Sequence, residues 1–158
     1  MKATEFLKLV ASIILCQIPG FLGSLFTTPA IPTWYATLKK PFFTPPNWIF
    51  SPVWISLFIL MGISLFFVWR RQGHPQLRIA LFLFFVQLVL NVFWSAAFFG
   101  LRAPLLGLID IVLLWIAILL TIQHFSKVSK FAGALLLPYL VWVSFATLLN
   151  FSLWILNL

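Results

Sequence analysis

Long apolar runs alternate with short polar breaks along this chain. Five runs are long enough to form continuous helices, at about 6–26, 51–69, 79–99, 104–123 and 131–156. Crossing a hydrocarbon core takes roughly 20 apolar helical residues, and the core holds no water to satisfy open strand edges. The pattern therefore predicts an all-α, polytopic membrane protein, a five-transmembrane-helix bundle forming a single domain over residues 1–158. The connections are predicted at 27–50, "RRQGHPQL" (70–77), "GLRAP" (100–104) and "HFSKVSK" (124–130). Pro104 suits a first helical turn, where its missing N–H is no loss. Pro138 falls inside the fifth run and is expected to bend it.

The first connection carries "WYATLKKPFFTPPNW", residues 34–48. Pro41, Pro45 and Pro46 lie too close together for a helix interior, since each lacks an N–H and clashes with the preceding turn. This stretch therefore reads as an aromatic, proline-rich loop between the first two helices. It fits a stiff lid over a pocket, with Lys39 and Lys40 at the rim for carboxylates or phosphates. It fits equally an interfacial aromatic belt with lysines reaching to headgroups.

Composition agrees with a membrane protein: 63% of residues are hydrophobic and 8% charged, where a soluble domain carries about a quarter charged. The net charge of +8 does not imply nucleic acid, because the basic residues sit in short clusters between apolar runs, with no basic stripe. They set orientation instead. Lys2, Lys8, Arg70, Arg71, Arg78, Lys127 and Lys130 fall on one side, and Lys39, Lys40 and Arg102 on the other. This bias predicts an amino terminus inside. Cys16 is the only cysteine, so no intrachain disulfide forms, and it reads as a buried hydrophobe. No small-residue cleavage site follows the first run, which is retained as a span.

Polar residues within the runs are costly unless they face protein or a cavity. In the third run Gln87, Asn91, Trp94, Ser95 and Phe98 recur along one side. The fourth holds Asp110, with Gly107 about one turn before it. In the fifth, Tyr139, Trp142, Ala146 and Asn150 form a stripe, and Trp54 opens the second. The predicted topology gathers these in the half of the bundle beneath the loop. Gln87 and Asn91 read either as interhelical hydrogen-bonding residues or as ligand contacts, and Trp54 and Trp142 as core or as ligand walls. Asp110 reads as a structural or a functional carboxylate. His74 and His124 fall in connections on the opposite side, and no metal-ligand cluster is expected. Ala96 and Gly100 have a small-xxx-small spacing compatible with a dimer contact.

The segments "WYATLKKPFFTPPNW", "PVWISLFILMG", "QLVLNVFWSAAFFG", "LIDIVLL" and "PYLVWVSFATLLN" occur in order. On these the chain, from about Trp34 to Asn150, resembles the TspO/MBR family of translocator proteins. The resemblance implies a five-helix bundle, usually a homodimer, whose first loop closes a pocket for porphyrin or haem-type tetrapyrroles and synthetic aromatic ligands. No obligatory cofactor is implied. The family's pocket aromatics match Trp34, Tyr35, Trp54 and Trp142, its polar position Asn91, its small wall position Ala146 and its acid Asp110. Animal members end in a proposed sterol motif with Tyr then Arg. Here "TLLNFSLWILN" has Phe151 and no basic residue, which weakens the expectation of sterol binding and resembles microbial or plant members.

The expected ligand-binding set is therefore Trp34, Tyr35, Trp54, Gln87, Asn91, Trp94, Asp110, Trp142, Ala146 and Asn150. The expected partners are the lipid bilayer of a bacterial cell or organelle and a tetrapyrrole in transport, scavenging or stress-linked regulation. The alternative is light- or oxygen-dependent porphyrin degradation using Trp54 and Trp142. Ordinary acid–base catalysis is not expected, since the spans hold no histidine and Asp110 is the lone carboxylate well inside one. A signalling subunit is a third reading, though no tail or soluble domain supports it.

Overall fold

The computed structural model describes residues 2–158. Its elements in order are α1 (Ala3–Ala30) with a π-helical extension (Ile31–Tyr35), α2 (Asn47–Trp69) and α3 (Leu77–Ser95) with a second π-helical extension (Ala96–Gly100). Then follow α4 (Pro104–Val128), α5 (Lys130–Leu135) and α6 (Leu137–Leu156). They make five helical spans long and apolar enough to cross a membrane, with α5 and α6 sharing the last. Among the described residues there is no strand.

The first connection is shorter than the predicted 27–50. α1 runs on through Pro29, and its π turn absorbs Pro32, so Trp34 and Tyr35 belong to the helix end and not to a loop. Two effects explain this. Pro32 begins a widened turn in which its missing N–H disturbs little. The Thr33 hydroxyl also donates to the Pro29 carbonyl at 2.7 Å. Only 38–46 is irregular, and Pro41, Pro45 and Pro46 all lie there. The fourth connection is also shorter than predicted, because α4 continues through His124 to Val128 and turns at Ser129, which caps α5. The fifth span breaks at Leu136, two residues before Pro138, as its missing N–H requires.

Lipid supplies no hydrophobic drive between helices, so close packing and interhelical hydrogen bonds hold the bundle. α1 and α2 approach closely at Gly62, where a Cβ would come within 2.5 Å of Ile13 Cα. At the end away from the loop, Glu5 pairs with Arg70 at 3.1 Å. Ser64 there donates to the Ala132 carbonyl at 2.7 Å and fixes α2 to α5. Phe84 stacks on Phe125 in the core, at 5.3 Å between centroids. Cys16 is wholly buried. Gly100 packs against Phe26 of the same chain, where a Cβ would meet the ring at 2.8 Å. Its smallness is thus used within the protomer.

Candidate functional site: an aromatic cavity beneath the loop

A cavity of about 410 Å³ lies in the loop-side half of the bundle, walled by α1, α2, α3, α6 and both π turns. Ligand sites typically occupy about 300–1,000 Å³ and are mainly apolar with a few placed polar groups.

Trp54 is the centre of its floor. It stacks on Phe58 at 5.7 Å and meets Trp94 at 6.4 Å, Tyr139 at 6.2 Å and Trp142 at 6.5 Å. The π turns build the opposite wall. A π turn advances the chain by an extra residue, which turns successive side chains inward. Thus Phe98 and Phe99 are both buried, and they receive Trp34 and Tyr35 at 5.5 and 5.8 Å.

Two hydrogen-bond networks hold these walls. Asn91 Nδ2 donates to Tyr139 Oη at 2.9 Å, and Tyr139 donates to Gln87 Oε1 at 2.8 Å. Because Tyr139 spends its proton on Gln87, Asn91 must present its amide N–H to Tyr139. Trp94 Nε1 donates to Asn150 Oδ1 at 3.0 Å, and Asn150 Nδ2 donates to the Pro104 carbonyl at 2.8 Å. That second network ties α3, α4 and α6 together. Three buried donors have no partner among the described residues: Ser12 Oγ, outside the cavity, and Tyr35 Oη and Trp142 Nε1. Tyr35 and Trp142 line the cavity.

Residues 38–46 cross over α6. Phe43 packs on Phe145 at 6.2 Å. Asn157 grips the backbone of Lys39 from both sides, accepting from its N–H and donating to its carbonyl, each at 2.9 Å. The Lys40 ammonium lies 4.7 Å from the centroid of the Tyr35 ring, while Phe42 is fully exposed.

Of the residues expected from sequence, Tyr35, Trp54, Asn91, Trp94, Trp142, Ala146 and Asn150 line the cavity. Trp34, Gln87 and Asp110 do not. Trp34 backs the wall through Phe98, and Gln87 sits behind Tyr139, two hydrogen bonds from Asn91. Asp110 is half-buried on α4, and its Oδ2 has no partner among the described residues. Sequence reasoning missed the wall from α1, which includes Gln17, Gly20, Ser24 and Thr28. Its signal was present as small and polar residues at helical spacing within the first apolar run. It also missed Asn157, a polar residue just past the last run.

The fold and cavity define a polytopic helical membrane protein with a lidded aromatic pocket. The profile of the TspO/MBR family matches residues 12–155, and the chain belongs to that family. It is 51% identical to the Tryptophan-rich protein TspO of Archaeoglobus fulgidus, over 97% of this chain and 99% of that one. It is 35% identical to the Translocator protein of Bos taurus, over 96% and 91%. It is 34% identical to the Tryptophan-rich sensory protein of Cereibacter sphaeroides, over 90% and 86%.

Proposed function

We propose that the cavity binds tetrapyrroles of the porphyrin or haem type and that the protein carries or senses them in the membrane. The observation that supports this most is the pair of unspent buried donors, Trp142 Nε1 and Tyr35 Oη, on two aromatic residues that line the cavity. A buried donor without a partner costs about 1–3 kcal/mol, which an acceptor on a bound ligand would recover. A flat macrocycle stacked against Trp54 and Trp142 gains about 0.5–1.5 kcal/mol per aromatic contact beyond its buried area. Lys40, held over Tyr35, is placed to meet a peripheral carboxylate. The Lys and Arg distribution supports an amino terminus inside, which sets the lid on the outer face.

The contact between Trp54 and Trp142 favours one second reading. Either indole could give an electron transiently to a photoexcited ring and recover it once dioxygen has added, so that dioxygen alone is consumed and its two oxygen atoms enter the opened macrocycle. One experiment separates the two. Purified protein is titrated with protoporphyrin IX in the dark, then illuminated in air, as wild type and as the Trp54→Phe/Trp142→Phe double variant. Saturable binding with the porphyrin intact after light supports a carrier or sensor. Light-driven loss of porphyrin that disappears in the double variant supports degradation. Absence of saturable binding removes both.

A further inference from the structure

The walls of the cavity are unequal. Every lining residue from α3, its π turn and α6 is buried or half-buried. The exposed lining residues fall on α1 and α2 alone: Phe21, Ser24 and Thr28 on one, Asn47, Ser51 and Ile55 on the other. Each trio recurs at one helix face. The two faces are also in register. The antiparallel alignment that sets Glu5 against Arg70 and Gly20 against Phe58 brings Phe21 level with Ile55, Ser24 with Ser51, and Thr28 with Asn47.

These residues are therefore the two sides of one slot. It starts above the Gly20–Phe58 contact, where α1 and α2 still touch, and runs to the loop end. Ile55 lies about 12 Å further along α2 than Asn47, well into a hydrocarbon core of about 30 Å. Phe21 and Ile55 at the deep end are 67% and 53% exposed. Ser24, Thr28, Asn47 and Ser51 line the rest. On the loop side, by contrast, residues 38–46 are latched to α6 through Phe43 and to its C-cap Asn157.

We propose that the cavity is loaded and emptied sideways, from the bilayer, through the slot between α1 and α2, while the lid stays latched to α6. Its ligands are then membrane-dissolved, amphipathic aromatics whose polar edge slides along the Ser24, Thr28, Asn47 and Ser51 hydroxyls and amide as the ring passes Phe21 and Ile55. This rests on reading the cavity as a tetrapyrrole site, and the test has one arm that does not.

In vesicles, uptake of protoporphyrin IX is followed by stopped-flow tryptophan quenching. A disulfide between Lys39→Cys and Asn157→Cys locks the lid, and uptake is expected to stay within about twofold of the reduced protein. Ser51→Trp, or Thr28→Phe should the first not fold, narrows the slot, and uptake and release are both expected to slow at least tenfold. Uptake abolished by the disulfide and restored by reductant overturns the proposal, as does unslowed uptake in the slot variants. Independently of any ligand, Ser51→Cys carrying a bimane label is quenched by brominated acyl chains if the slot faces lipid. Quenching by aqueous iodide alone overturns it. Should wild type not bind protoporphyrin IX, the tetrapyrrole reading falls and the bimane result alone decides the slot.

Discussion

The indole of Trp142 meets Trp54 edge-on, with ring planes at 89° and centroids 6.5 Å apart. This contact joins α6 to α2 across the cavity. The Trp142 Nε1–H is buried beside the cavity and has no acceptor among the described residues. Most buried polar groups are hydrogen-bonded, so an orphan donor on a cavity wall calls for an explanation. A ligand acceptor is the one argued above.

The Asn91–Tyr139–Gln87 relay can be cut by one atom. Tyr139→Phe leaves Asn91 and Gln87 buried without their shared partner. Hydrogen bonds between membrane helices average about 0.6 kcal/mol. Two are lost here and two amides are orphaned, so a loss of about 1–2 kcal/mol is expected. Thermal unfolding in detergent should show a lower midpoint, and porphyrin affinity should fall as Asn91 loses its orientation. An unchanged midpoint would mean the relay is not structural.

Asn150 serves Trp94 and the Pro104 carbonyl at once. Asn150→Leu keeps the volume and removes both bonds. It should destabilise by about 1–3 kcal/mol, the cost of stranding buried partners. It should also free the Trp94 N–H, visible as a shifted indole resonance.

Asn157 makes two bonds to Lys39, each worth about 0.5–1.5 kcal/mol net. Asn157→Ala should therefore raise the open-lid population about tenfold. Limited trypsin cleavage after Lys39 reports it directly, since Lys40 precedes Pro41 and resists cutting. Equal cleavage rates in wild type and variant would show that Phe43 alone holds the lid.

Gly62 has no room for a side chain against the Ile13 backbone. Gly62→Val should force α1 from α2 and cost about 1–3 kcal/mol as an overpacked core does. Poor expression or a lowered thermal midpoint would register it.

The spans were legible because hydrocarbon demands apolar length and internally paired backbone, a demand written into every residue of a run. Asn91, Trp142 and Asn150 were legible because polar and amphipathic residues stand out on an apolar helix. Trp34 and Tyr35 were misplaced for a physical reason: proline usually ends a helix, but a π turn can take one at its edge. Gln87 looked like Asn91, since both lie on one stripe, and only the position of Tyr139 decides which of them reaches the cavity. The α1 wall was overlooked because serine and threonine bond to their own helix, as Ser24 does to the Phe21 carbonyl. They are cheap in a span and carry a weak signal.

The most direct test of the account is a dark titration with protoporphyrin IX of wild type, Trp142→Ala and Trp115→Phe. Trp115 lies outside the cavity and donates to Ser144, so it controls for lost tryptophan signal. Saturable binding weakened at least tenfold by Trp142→Ala and unmoved by Trp115→Phe is the predicted result. Equal affinity in all three would contradict the assignment of this cavity as the tetrapyrrole site.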